Sequence, residues 1–242
     1  MTPTLSSHDH PAASADLVFL LDVDNTLLDN DRFKADLGAR LERDFGRAER
    51  DRYWSIYDAL RGELGYADYL AALQAFRHGL DDDPDLLGMS AFVLDYPFAE
   101  RLYPHALDTV ARLGTLGRTV ILSDGDVVFQ PRKVQRSGLW DAVDGRVLIY
   151  LHKQRMLQSV QRRHPARHYV MIDDKPQLLA QMKQGLGERL TTVFVRQGHY
   201  AAAAGDATVP APDLDIRHIG DLRQCGRDDF LPASAAVFAL GG

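Results

Sequence analysis

A single cysteine, Cys225, in 242 residues excludes an internal disulfide framework and a cysteine-rich zinc site. Long apolar runs are also missing. No stretch approaches the ~20 residues that a membrane-spanning helix needs. Excess basic charge is absent: 28 Lys and Arg face 34 Asp and Glu, for a formal net charge of −6. That balance repels phosphate backbones and anionic lipid, so neither nucleic acid nor membrane is expected as a partner. It leaves room for a local basic pocket. Residues 1–15, rich in Ser, Ala, His and Pro, lack the basic start and apolar centre of a signal peptide. They are expected to be a disordered tail, and the Ala-rich 231–242 a loose C-terminal one. Lack of disulfides fits a reducing compartment, and a cytoplasmic location is expected.

What is present is ordinary for a globular protein, with 45% hydrophobic and 26% charged residues. The length suits one large domain, or a core with a smaller insertion. Short continuous apolar runs predict strands buried on both faces: 17–21, 120–122, 147–150, 169–172 and 192–195, with a weak edge strand at 216–219. Between several of them lie helical patterns. Pro104 opens one that carries Leu107, Val110, Leu113 and Leu116 and stops at Gly117. Pro176 opens another with Leu178, Leu179, Met182 and Leu186, frayed at Gly185 and Gly187. The alternation predicts an α/β fold: a Rossmann-like parallel sheet with helices on both faces.

One region breaks the alternation. From 30 to 102 no strand is evident; Phe33, Leu37, Leu41 and Phe45 repeat at helical spacing, and Asp81-Asp82-Asp83-Pro84 reads as a turn before a helix. About four helices are expected. The domain reading is therefore an α/β core over 16–29 and 103–230, interrupted by a helical insertion over 30–102.

Ligands of open α/β sheets bind beyond the carboxyl ends of the strands. Three runs end there in polar residues: Asp22, Ser123 and Asp173. Asp22-Val23-Asp24-Asn25-Thr26 follows the first strand. Two carboxylates that close repel unless a cation lies between them, and a hard dication such as magnesium suits oxygen donors. Ser123-Asp124-Gly125-Asp126 follows the second, with a hydroxyl donor and a glycine that lets backbone approach an anion. Lys153, three residues beyond the third, supplies a point charge for phosphate. Asp173-Asp174 follows the fourth; one acid suffices to cap a helix, and two invite a metal. Each piece alone is an ordinary turn or surface group. Their common position and order give them force together.

In that order, Asp-x-Asp-x-Thr, Ser, Lys and Asp-Asp, the chain resembles the haloacid dehalogenase-like superfamily over about 17–222. The resemblance implies a phosphatase-type member with a helical cap inserted after the first motif. It implies Asp22 as nucleophile, Asp24 as general acid/base and Thr26 steadying the loop. Ser123, with Asp124 and Gly125 beside it, and Lys153 would bind the phosphoryl group. Asp173 would bind Mg2+ together with the Asp22 carboxylate and the Asp24 backbone carbonyl. Many members place a second acid four residues after the first; here Gln177 stands there, and Asp174 takes the second role. Asp124 replaces a frequent asparagine. The implied reaction is hydrolysis of a small phosphomonoester through an aspartyl phosphate. Arg61, Tyr53, Tyr57 and Tyr66 are candidate cap contacts to substrate, with Gly62 and Gly65 flanking a turn and hinges at Asn30 and 102–104. A phosphomutase or a haloacid dehalogenase of the same superfamily is the alternative. So is a non-catalytic phosphate-binding or signalling protein; signalling receiver domains, however, order their acids and lysine differently. A dehalogenase needs neither metal nor Asp24. The physiological substrate and the oligomeric state are not legible.

Overall fold

The computed structural model describes residues 15–203 and 210–232. The expected tails fall mostly outside them; Ala15, Leu231 and Pro232 are the described exceptions. Six strands form one parallel sheet: β1 (Ala15–Leu21), β2 (Arg118–Asp124), β3 (Val147–Tyr150), β4 (Ala166–Asp173), β5 (Leu190–Val195) and β6 (Leu214–Ile216). Their spatial order is β3-β2-β1-β4-β5-β6. The chain starts in the middle, builds outward through β2 and β3, then returns to β4. The winding reverses at β1, where such sheets open a crevice at their carboxyl ends. This is the parallel α/β arrangement that the apolar runs predict.

Period-two alternation splits β1 between two cores. Leu17, Phe19 and Leu21 join the core under α5 (Ala106–Leu116), α6 (Phe129–Arg136) and α7 (Leu139–Ala142). Val18 and Leu20 join the core under α8 (Leu157–Arg163) and α9 (Pro176–Leu186). Both faces being covered explains why the strands read as unbroken apolar runs.

Between β1 and β2 lie α1 (Asn30–Phe45), α2 (Arg47–Leu64), α3 (Tyr69–Phe76) and α4 (Asp85–Asp95), then a 3₁₀ turn at Phe98–Arg101. Asp29 caps α1 by accepting from the Arg32 amide. The stripe Phe33, Leu37 and Leu41 is fully buried. Phe33 packs on Tyr69, Tyr96, Phe98 and, across to α6, Phe129, with ring centroids 5.0–5.5 Å apart. The two passages joining the helices to the sheet run side by side. Asp29 N donates to Arg101 O at 2.8 Å, and Tyr103 N to Leu27 O at 2.9 Å.

Three local expectations shift. The edge strand lies at 214–216, not 216–219, because Val193, Phe194 and Val195 pair with Leu214, Asp215 and Ile216. Ile219 instead opens a 3₁₀ turn that buries Ile219 and Leu222. The helix expected to open at Pro104 starts at Ala106, behind His105 in the left-handed region at φ 65°. Ala15, assigned to the tail, is the first residue of β1, its amide bonded to Pro165 O at 2.9 Å. No described helix is long and apolar enough to cross a membrane.

Candidate active site

The site residues sit at the carboxyl ends of β1, β2 and β4 and in the turn after β3. Asp22 follows β1, its amide bonded to Ile172 O at 3.0 Å. The Lys153 side chain is fully buried: its ammonium bonds the Asp22 carboxylate, lies 2.7 Å from Asp173 Oδ2 and donates to Leu122 O at 3.2 Å. These acids hold the ammonium well above the ordinary lysine range against the opposing effect of burial. Thr26 Oγ1 donates to Asp22 Oδ2 at 3.3 Å.

Asp22, Asp173 and Asp174 are buried, and each offers a carboxylate oxygen within 4.8 Å of the others. Asp173 Oδ1 accepts from the Lys175 amide at 2.9 Å, fixing the turn that leads into α9. Both Asp174 oxygens are buried without a hydrogen-bond partner. Burial, and then the facing Asp173 and Asp22 carboxylates, push the Asp174 carboxyl up to about 9. A hard cation bound by these oxygens would relieve both the repulsion and the missing partners, so the donor set fits magnesium.

Asp24 turns elsewhere. Its carboxylate accepts from Lys133 Nζ at 2.7 Å and Gln130 Nε2 at 3.2 Å. Its carboxylate stands outside the three-carboxylate cluster. Gln130 Nε2 also donates to Ser123 Oγ at 3.0 Å. Asp124 accepts the Lys153 amide at 2.7 Å and so pins the turn that carries the lysine; burial is the largest influence on its carboxyl and raises it. The Gly125 amide is taken by Tyr150 O at 2.9 Å. Glycine is needed there because a Cβ would stand 2.7 Å from Gln130 Cβ. A cavity of ≈ 120 Å³ opens over Asp24 and Asp124 and reaches Tyr57, Arg61 and Tyr66 of the helical segment. Tyr53, also expected there, is instead fully buried with its hydroxyl on Tyr69 O at 3.1 Å. Gly62 falls inside α2, and Gly65 ends it in the left-handed conformation.

No family model matches the sequence. Among solved structures, a haloacid dehalogenase-like hydrolase from Burkholderia xenovorans LB400 is 58% identical, with a TM-score of 0.81 over 87% of this chain and 99% of that one. The chain belongs to the haloacid dehalogenase-like hydrolases. Fold similarity extends to the magnesium-bound HAD-hydrolase YfnB of Bacillus subtilis (18% identity, TM-score 0.59, 86% and 96% covered). It extends also to the L-2-haloacid dehalogenase of Xanthobacter autotrophicus (21%, 0.53, 86% and 96%).

Several residues of this haloacid dehalogenase-like site escape sequence reasoning. Lys133 has a fully buried side chain that also donates to Asn30 Oδ1 at 3.0 Å, among the rings of Phe33, Tyr69, Phe98 and Phe129 at 5.0–6.0 Å. Nothing in the amphipathic pattern of α6 distinguishes it from a surface lysine. Lys175 is half-buried facing Asp22 and Asp173; desolvation opposes its charge most, yet those two carboxylates raise its ammonium's affinity for the proton overall. Its adjacency to the Asp-Asp pair was the available signal. His199 and Tyr200, on α10 (Gly198–Ala203), line the cavity from a segment without a motif.

Proposed function

We propose that this hydrolase is a magnesium-dependent phosphomonoesterase acting on a small phosphorylated metabolite, with the helices of 30–102 serving as its cap. The observation that carries the reading is the charge balance beside Asp22. Asp22, Asp24, Asp124, Asp173 and Asp174 face Lys133, Lys153 and Lys175. Three of these carboxylates, Asp22, Asp173 and Asp174, cluster within 4.8 Å of one another, and Asp174 has no partner for either oxygen. Lys153 pairs with Asp22 and Asp173 and leaves Asp174 uncompensated, a place that suits a dication. A dehalogenase would have no use for that acidic excess or for Asp24.

Magnesium, when held by Asp22, Asp173 and Asp174, supplies the positive charge that lets an anionic nucleophile approach an anionic phosphoryl group. The chain's own residues do the rest. Lys153 and Thr26 hold the Asp22 carboxylate for in-line attack on phosphorus, forming the aspartyl phosphate as the ester oxygen departs. Asp24, fixed by Lys133 and Gln130, hands a proton to that oxygen and later takes one from the attacking water. Ser123 and Lys153 carry the equatorial oxygens' charge. The helical segment excludes bulk water over the cavity.

The test is turnover of an aryl phosphate by the purified protein with magnesium. Activity should vanish on chelation and in Asp22→Asn, which removes the nucleophile while conserving shape. Release of chloride from 2-chloropropionate without magnesium, in place of phosphate release, overturns the proposal.

A further inference from the structure

The cavity is shared between two kinds of lining. Asp24, Asp124 and Lys175 come from the strand ends; Lys34, Tyr57 and Arg61 come from α1 and α2. Lys34 and Arg61 are both about half buried. The Lys34 ammonium stands 5.5 Å from the Trp54 ring and 5.4 Å from the Tyr57 ring. The Arg61 guanidinium donates to the Tyr200 hydroxyl. Neither has a carboxylate within ion-pair distance among the described residues. Most other arginines of the same helices differ: Arg32 and Arg40 pair with Asp36 and Asp44, and Arg50 and Arg52 with Glu42 and Glu49. Arg47 has no such pair among the described residues but stands exposed to solvent, whereas Lys34 and Arg61 lack one while half buried in the cavity.

Two like charges held together in a half-buried cavity repel, and burial adds to the cost. Burial and the Arg61 charge indeed lower the Lys34 proton affinity, while the more distant Asp31 and Asp58 oppose them. Asp31 is already engaged, accepting from His199 N at 2.9 Å and bonding its ring at 2.6 Å. An incoming anion would meet a guanidinium fork and an ammonium, a combination suited to carboxylate or phosphate oxygens. At ≈ 120 Å³ the cavity is well below the roughly 300–1,000 Å³ of pockets for drug-sized ligands, so the two ends of the substrate must be close.

We infer that Lys34 and Arg61 form a second anion subsite, and that the substrate is a short phosphomonoester bearing another anionic group, a carboxylate or a second phosphate, within a few bonds of the ester. This rests on the phosphatase reading above. The same unmatched pair excludes a preference for neutral alcohol phosphates.

Three two-carbon probes separate the cases: ethyl phosphate with no second anion, phosphoglycolate with a carboxylate, and ethylene glycol bisphosphate with a phosphate. With magnesium, kcat/KM should be at least tenfold higher for one of the charged probes than for ethyl phosphate. That ratio should fall at least fivefold in Lys34→Met and in Arg61→Met, mainly through KM. Lys34→Arg should retain most of it, which separates lost charge from a damaged fold. Equal use of all three probes, or a preference that survives both methionine variants, overturns the subsite. An aryl phosphate hydrolysed without any such preference defeats the subsite alone. No phosphoester hydrolysed at all defeats the phosphatase reading, and the subsite with it.

Discussion

Replacing Lys133 with methionine tests whether a buried ion pair outside the expected motifs holds Asp24, the proposed acid/base residue. The lysine side chain has no solvent exposure, its ammonium lies 2.7 Å from Asp24, and the Asp24 side chain is 26% exposed. Removing one partner of a buried pair costs roughly 3–5 kcal/mol, because the other charge is left without compensation. Asp24 keeps some solvent and its bond from Gln130, which places the cost near the bottom of that range, at about 3 kcal/mol. For a chain of this size each kcal/mol shifts the melting temperature by roughly 2–4 °C, so a fall of about 6–12 °C is expected. Methionine conserves much of the contact with the four rings, so the loss reports the charge rather than a cavity. With Asp24 no longer fixed, kcat on an aryl phosphate should drop by about two orders of magnitude. The same change in an Asp24→Asn background should cost less, since the partner charge is already gone. Thermal unfolding followed by circular dichroism, together with steady-state kinetics, measures both quantities. A melting shift under about 2 °C with kcat within twofold of the parent would refute the claim that Lys133 fixes Asp24.

Three further outcomes follow from the geometry. Asp174→Asn removes one carboxylate of the proposed metal cluster and should raise the magnesium concentration for half-maximal activity by roughly 10- to 100-fold; an unchanged titration places the metal elsewhere. Asp174 is raised from 3.8 to about 9 in the folded chain, so the folded state keeps a proton that the unfolded chain has released. The associated stability is complete below pH 3.8 and is lost as pH rises through about 9. Magnesium-free protein should therefore melt lower at pH 8.5 than at pH 6, and both Asp174→Asn and saturating magnesium should flatten that slope. Gly125→Ala puts a Cβ 2.7 Å from Gln130 Cβ and should destabilise the fold by about 1–3 kcal/mol in a urea titration. It should also weaken the Gln130 bridge between Asp24 and Ser123, lowering kcat; full activity would mean that the bridge is dispensable.

The sheet was legible because strands buried on both faces leave unbroken apolar runs, and the site because three of those runs end in a polar residue. Asp22, Ser123 and Asp173 were found by position alone, and Lys153 by its place in the order. Chain order could not show which face of α6 turns inward. The pattern thus concealed Lys133 and Gln130, whose importance comes from Asp24 lying more than a hundred positions away. It also could not separate Tyr57, which lines the cavity, from Tyr53, one helical turn earlier and sealed against Tyr69. Nor could it tell matched arginines from the unmatched Arg61, since pairing depends on where α2 lies against α10.

By itself the sequence determined the layered α/β frame and the acids and lysine at its strand ends, because hydrophobic period and turn chemistry are local properties. Only the tertiary structure decided which carboxylates share a pocket, which of them Lys153 and Lys133 neutralise, and which is left for a cation. Coulombic and desolvation energies depend on distances between segments remote in the chain, and no local pattern encodes those distances.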